Sequence, residues 1–411
     1  MTHGFVRVAC GSPALVVADC KNNASAIITH IQEAADGGAC LAVFPELSIT
    51  AYTCGDLFLQ RKLQIEAACA LELIAEQTAS RDVISVVGLP VAAGSALYNC
   101  AAFLYHGAAL ALVPKTYIPN YSEFYEARHF ASAPQNGQAA GITDGRVFLS
   151  EKFPTVPFGT DILIADAKNK DFVIAAEICE DLWVPSPPSS RHALAGATVV
   201  VNLSASNEII GKADYRRTLA ASQSGRLACA YLYADAGQGE STTDMVFAGH
   251  NLIVENGAIL AESGLFAGGL IFADIDLERL AQERRRMTTF TLCAERAAPA
   301  YRHIGVDLNP KAPALRRYID PHPFVPADKT ARSRRCREVI ELQAQGLAKR
   351  LAHTQAKTAV IGLSGGLDST LALLVACRAF RIRGRAHSDI HAVTMPCFGT
   401  TRRTRDNAAA L

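Results

Sequence analysis

From residue 5 to residue 275, short apolar runs of strand length alternate with stretches of helical periodicity. This alternation confines the fold to layered α/β architectures. The runs at 5–8, 41–44, 83–89, 98–105, 108–113, 172–175, 198–202, 228–233, 252–255 and 270–275 predict strands. The spacing of apolar residues predicts helices over 24–35, 57–79 and 213–227. Gly37-Gly38 stops the first helix, as C-terminal glycine does. Glu255-Asn256-Gly257-Ala258 reads as a hairpin turn, because Asn-Gly tolerates positive φ. Hairpins mixed with strand–helix units predict a mixed sheet.

The rhythm fails over 287–330. That stretch holds Pro299, Pro310, Pro313, Pro321, Pro323 and Pro326, and it reads as a linker. It separates a first domain at 1–286 from a second at 331–411, in keeping with roughly 150 residues per domain. The second region predicts a helix over 331–352, a strand at 357–363, a loop at 364–368, a helix over 369–380 and a strand at 390–395. This is one βαβ unit, too small to bury a core of ordinary domain size. It is expected either to pack on the first domain or to belong to a longer protein.

Half of the 411 residues are hydrophobic, which supplies large cores and excludes a disordered chain. The chain carries 40 Lys and Arg against 39 Asp and Glu, a balance that does not suit a general nucleic-acid binder. The charge is unevenly placed, however. Residues 311–411 hold 18 Lys and Arg against 7 Asp and Glu, a net of +11, and the rest of the chain is −10. Such a bias is either an ordinary solvated surface or a surface for phosphates or a partner. No signal peptide or membrane span is expected, since charges interrupt the long apolar stretches. The twelve cysteines form no C-x-x-C pair and are expected as reduced thiols, mostly buried, in a cytoplasmic protein. The sequons at Asn23, Asn120 and Asn202 then carry no meaning.

Three segments put chemistry just after apolar strands, where α/β sheets gather their site residues. Val43-Phe44-Pro45-Glu46-Leu47 offers a carboxylate, Val113-Pro114-Lys115-Thr116-Tyr117 an ammonium, and Glu177-Ile178-Cys179-Glu180-Asp181 a thiol. A thiol needs a base and a nearby cation before it attacks a carbonyl. A buried carboxylate with a raised pKa can take its proton, and a lysine can stabilise the oxyanion. Each residue alone reads as ordinary: a core cysteine, a surface glutamate, a surface lysine. The three together, in this order, favour a site.

FPEL, PKTYIPNYSEFYE and EICEDLW resemble the three signature regions of the nitrilase superfamily. They are most similar to its glutaminase branch, fused to NAD synthetase, and the resemblance covers 1–325. It implies an α-β-β-α sandwich with Glu46 as general base, Lys115 as stabiliser of the intermediate and Cys179 as nucleophile on the side-chain amide of L-glutamine. It further implies glutamine contacts from Tyr121, Ser206 and Lys212, an oxyanion donor in the Glu180 backbone N–H, and Glu126 as a partner orienting Lys115.

In the second region, Gly362, Leu363, Ser364, Gly365, Gly366, Leu367, Asp368 and Ser369 follow a strand and open a helix. Successive backbone N–H groups and the helix N-terminus make a phosphate cradle there. No Gly-Lys-Ser/Thr is present, so it is not a Walker loop. The string also satisfies G-x-S-x-G, but a triad on Ser364 would have to use Asp389 with His387 or His391, all crowded beside one strand. The same two histidines lack a third metal ligand, so no metal site is expected. Ser-Gly-Gly-x-Asp-Ser instead resembles the pyrophosphate loop of the N-type ATP pyrophosphatases, and 393–400 continues the resemblance. This implies the start of a doubly wound, Rossmann-like domain.

Taken jointly, the resemblances imply a glutamine-dependent NAD synthetase. ATP with Mg2+, assisted by Asp368, would serve as co-substrate, and ammonia would amidate deamido-NAD+ to NAD+ with release of AMP and pyrophosphate. No tightly bound cofactor, no nucleic acid and no membrane are expected, and a homo-oligomer is. The family holds further βα units beyond those present here, so the amidation domain is expected to be cut short. Two other readings stand beside this one. One is a stand-alone nitrilase-type glutaminase or amidase with a vestigial synthetase piece. The other is a non-catalytic fragment that assembles with complete partners.

Overall fold

The computed structural model describes residues 4–134, 139–297, 300–309 and 314–411. It forms two compact units, Met1–Arg317 and Tyr318–Leu411. The strands are β1 (Phe5–Ser12), β2 (Leu41–Val43), β3 (Ile84–Ala93), β4 (Ala96–Tyr105), β5 (Ala108–Pro114), β6 (Arg146–Val147), β7 (Val156–Pro157), β8 (Ile162–Asp166), β9 (Val173–Ile178), β10 (Val199–Ser204), β11 (Ala230–Asp235), β12 (Leu252–Glu255), β13 (Ala258–Glu262), β14 (Gly269–Asp276), β15 (Arg302–Val306), β16 (Ala359–Gly362) and β17 (Ile390–Val393). The α-helices are α1 (Cys20–Asp36), α2 (Arg61–Gln77), α3 (Pro188–Leu194), α4 (Lys212–Leu227), α5 (Leu277–Arg286), α6 (Thr288–Ala297), α7 (Lys329–Thr354), α8 (Leu367–Ile382) and α9 (Arg402–Ala410).

Unit one is two mixed sheets, in the strand orders β14-β1-β2-β3-β4-β5 and β13-β12-β11-β10-β9-β8-β15. Period-two alternation sends Val6, Val8 and Cys10 of β1 to the same core as Val199, Val201 and Leu203 of β10, so these side chains fill the space between the sheets. The outer face of the first sheet packs on α1 and α2 through Ile27, Ile31, Leu71 and Ile74. The outer face of the second packs on α4 through Val200, Tyr231, Ala220 and Leu227. The layers are therefore α-β-β-α, as the resemblance implied.

Local sequence explains several boundaries. Asp19 caps α1 by accepting from the Asn22 N–H at 3.0 Å. Helix α1 ends at Gly37, and Gly38 follows with φ +82°. Asn256 and Gly257 take φ +46° and +84°, the turn that lets β12 and β13 pair. All twelve cysteines are free thiols, and Asn23 and Asn202 of the sequons are fully buried.

The expected linker needs correction. Residues 288–297 form α6, and β15 adds to the edge of the second sheet in parallel with β8. Arg317 then makes two 2.7 Å hydrogen bonds to the Glu255 carboxylate, and the Arg316 N–H donates to Asp274 at 2.7 Å. Here the chain gains backbone and charged partners from unit one that no local pattern announces. Pro299, Pro310 and Pro313 lie outside the described residues.

Unit two is the expected βαβ piece. Strand β16 pairs in parallel with β17, and α7 packs on α8 through Ala344, Ala348, Val375 and Ala379. So small a core leaves Leu342, Val360, Leu367, Met395 and Phe398 exposed. Among the described residues, no helix is long and apolar enough to cross a membrane.

Candidate active site

Five strands of the first unit, β2, β4, β5, β9 and β10, deliver side chains to one buried site. Glu46 follows β2, Lys115 follows β5, and both are almost completely buried. The Lys115 ammonium donates to Glu46 Oε1 at 2.6 Å and to Glu126 Oε1 at 2.7 Å. The Tyr52 hydroxyl donates to that same Glu126 oxygen at 2.8 Å. Asn99 of β4 donates its amide to Glu46 Oε1 at 2.5 Å, and its backbone carbonyl accepts from the Lys115 N–H at 2.8 Å. One residue of β4 thus fixes both partners.

Cys179 follows β9 with φ +44°, a left-handed conformation that a side chain rarely adopts without compensating contacts. Its N–H donates to Asn202 Oδ1 of β10 at 3.2 Å. Two residues on, the buried Asp181 carboxylate accepts from the N–H groups of Ile178 at 3.0 Å, Tyr117 at 2.8 Å and Thr116 at 3.2 Å. Asp181 therefore ties the cysteine turn to the segment after Lys115. The Ala205 N–H, at the end of β10, donates to Glu46 Oε2 at 3.1 Å, and the same amide pulls the Cys179 pKa down.

The electrostatics follow from burial. Burial pushes Glu46 up to about 7; Lys115 opposes the rise and Glu126 adds to it. Burial alone would lower the Lys115 pKa, but Glu126 and then Glu46 hold it well above its usual range. Burial, followed by the charge on Glu46, raises Cys179, while Lys115 and the Ala205 N–H pull it back. The resting sulfur is consequently a thiol with a base and a cation at hand. Asp181 is lifted to about 8 by burial and then by Glu177.

The other sequence-selected residues surround this centre. The Tyr121 hydroxyl donates to Glu180 Oε1 at 2.9 Å and is itself more than half exposed. Ser206 is buried one residue beyond Ala205. Lys212 opens α4, bonds the Asn207 side chain, and lies 5.3 Å from the ring centre of Trp183 and 5.8 Å from that of Phe124. Burial lowers the Lys212 pKa, and the nearby Cys179 counteracts this. Sequence reasoning missed Asn99, Tyr52, Asp181 and Asn202. Asn99 and Asn202 did carry a signal, as amides inside otherwise apolar strands.

In unit two, Gly365 has φ +74° and its backbone lies against α9. A Cβ there would sit 1.9 Å from the Thr404 carbonyl oxygen. Ser364 Oγ accepts from the Gly366 N–H at 3.3 Å and lies 3.1 Å from Ser369 Oγ. Among the described residues, no histidine bonds Ser364, so the G-x-S-x-G string has no triad. Also among the described residues, no three His, Cys, Asp or Glu side chains converge as a metal cage. Asp368, exposed in the first turn of α8, is a single carboxylate of the kind that meets a magnesium held chiefly by phosphates and water.

Comparison with known proteins follows the same division. Residues 339–411 match the NAD synthase family. The glutamine-dependent NAD(+) synthetase of Mycobacterium tuberculosis (strain ATCC 25618 / H37Rv) is 42% identical over 416 residues, covering 100% of this chain and 60% of that protein. The chain thus spans 60% of the length of the mycobacterial relatives it matches. The glutamine-dependent NAD(+) synthetase of Homo sapiens is 28% identical over 293 residues, covering 70% of this chain and 41% of that one. A crystal structure of a glutamine-dependent NAD(+) synthetase from Cytophaga hutchinsonii superposes with a TM-score of 0.57 at 25% identity, covering 92% of this chain and 52% of that one. The Nesterenkonia AN1 amidase of the nitrilase superfamily shares the fold, with a TM-score of 0.52 at 20% identity over 70% of this chain and 97% of its own. Residues 7–285 match the carbon-nitrogen hydrolase family, and with the α-β-β-α sandwich that encloses its buried acid, amine and thiol, this chain belongs to that family.

Proposed function

We propose that the chain is the glutamine-hydrolysing part of a glutamine-dependent NAD+ synthetase, together with the beginning of its ATP-using part. The observation that carries the reading is Lys115 bridging Glu46 and Glu126 in a buried site whose charges act on the Cys179 thiol. In this reading Glu46 takes the thiol proton as Cys179 Sγ attacks the side-chain carbonyl carbon of glutamine. The carbonyl oxygen gains the electron pair, and the Lys115 ammonium and the Glu180 N–H stabilise it. Collapse expels the nitrogen as ammonia once Glu46 has returned the proton to it. Water, deprotonated by Glu46, then hydrolyses the glutamyl thioester and releases glutamate. Tyr121, Ser206 and Lys212 hold the amino-acid end.

The loop from Gly362 to Ser369 binds the phosphates of ATP, with Asp368 toward their magnesium. Adenylation of the deamido-NAD+ carboxylate releases pyrophosphate, and attack by ammonia releases AMP. The excess of Lys and Arg in 311–411 suits these phosphate-rich substrates. A cytoplasmic homo-oligomer belongs to the same reading, and light scattering on the purified chain tests the assembly. The main test is ammonia release from glutamine. We expect activity in the wild-type chain and a loss of at least about 10³-fold in Cys179→Ala. Equal rates in both would overturn the glutaminase. NAD+ formation from deamido-NAD+ and ATP tests the second half, and with this chain alone we expect it to be absent or very weak.

The amidase likeness favours a second reading, a free-standing amide hydrolase. Preference for a simple aliphatic amide over glutamine would select it.

A further inference from the structure

The residues around Ser206 form a buried network that the chemistry above does not use. Ser206 N–H donates to Asp235 Oδ1 of β11 at 2.8 Å, and Ser206 Oγ receives a hydrogen bond from Arg216 Nη2 of α4 at 3.2 Å. Arg216 is fully buried, and its Nη1 also donates to Glu208 at 3.0 Å and to His250 Nδ1 at 2.7 Å. A guanidinium can only donate. His250 Nδ1 is therefore the acceptor, and its Nε2–H donates to Glu262 at 2.7 Å.

The same logic applies to Ser206. Its oxygen accepts from Arg216, so its own proton is left to point elsewhere. The preceding residue, Ala205, touches the catalytic carboxylate, and Lys212 stands one helical turn before Arg216 on α4. A hydroxyl donor beside an ammonium fits a carboxylate.

The arrangement is not one that stability alone would favour. Arg216 Nη2 lies 3.8 Å from Asp235 Oδ2, too far for a hydrogen bond. Among the described residues, Asp235 Oδ2 and Arg216 Nε have no hydrogen-bond partner. A buried pair serving only to hold the fold would close that gap. Here the Arg216 charge is met by Glu208 instead, and Arg216 Nη2 and Asp235 Oδ1 are turned toward Ser206.

We propose that Arg216 and Asp235 are positioning residues that fix Ser206 as a hydrogen-bond donor toward the substrate. They thereby select an amide whose far end carries a carboxylate, which in glutamine is the α-carboxylate. This role rests on the glutaminase reading.

The test uses the full chain, with glutamine kinetics of Arg216→Gln and Asp235→Asn. Both variants should raise KM for glutamine about tenfold while kcat stays within about twofold. Alkylation of Cys179 by neutral iodoacetamide, followed by peptide mass spectrometry, should keep its wild-type rate. Adding Ser206→Ala to Arg216→Gln should raise KM little further, because the hydroxyl is already misdirected. Should Arg216→Gln fail to fold, Asp235→Asn, which preserves shape and an acceptor for the Ser206 N–H, decides alone. An unchanged KM, or a fall in kcat and in alkylation at constant KM, overturns the positioning role and leaves the glutaminase standing. Absence of glutamine hydrolysis in the wild-type chain overturns both.

Discussion

Glu46 shares its buried site with one cation and one anion, so its proton affinity depends on both neighbours. With its pKa raised to about 7, it is protonated in acid and cannot receive the thiol proton. The reading therefore requires kcat/KM for glutamine to fall as pH drops through about 7. Glu126 contributes to that rise, so Glu126→Gln should move the acid limb to lower pH. The same change strips Lys115 of one carboxylate partner and should lower kcat by about 10–100-fold. A pH–rate profile of the variant checks both effects, and an acid limb that stays in place or moves upward would contradict the coupling. The sequence offers Glu46, Lys115 and Cys179 because each follows an apolar run within a dense local pattern. Asn99 and Asp181 escape it because their partners lie 53 to 65 positions away.

The segment that carries Glu46 depends on a neighbouring strand. Gly88 of β3 lies directly beneath it, and a Cβ there would be 2.2 Å from the Leu47 nitrogen and 2.7 Å from the Pro45 carbonyl oxygen. Both contacts are backbone and cannot rotate away. Gly88→Ala should therefore cost about 1–3 kcal/mol in urea unfolding and lower kcat by displacing Glu46. Normal unfolding with normal turnover would show that the segment yields freely. Most strands were legible because buried sheet faces require apolar alternation. The edge strands β13 and β15 were not, since an edge strand is defined by what it pairs with. β15 exists because β8 offers it a parallel edge, at the margin of a stretch whose prolines argue for a linker.

The two proposed chemistries belong to separate compact units, each with its own core. They should be separable by mutation. Gly365→Ala adds a methyl group against the Thr404 carbonyl at positive φ, so it should dislodge the loop from α9. ATP affinity, measured by equilibrium binding to the full chain, should fall at least about tenfold, with glutamine turnover within about twofold of wild type. Loss of turnover together with nucleotide affinity would show that the units do not act independently.

Two-residue alternation, the Asn-Gly turn and the Ser-Gly-Gly loop are local devices. Each acts through its own backbone and near neighbours, and so the layered α/β class, the second βαβ unit and the three chemical segments could be read directly from the chain. The meeting of Glu46, Lys115 and Cys179, the Asn99 and Asp181 bonds that hold them, and the turning of Arg216 and Asp235 toward Ser206 depend on strands distant in sequence. Strand order within a sheet sets some of these ends side by side, as β10 and β11 do for Ser206 and Asp235. Packing the two sheets face to face brings Cys179 to Glu46 and Lys115 and removes the water that would otherwise screen their charges.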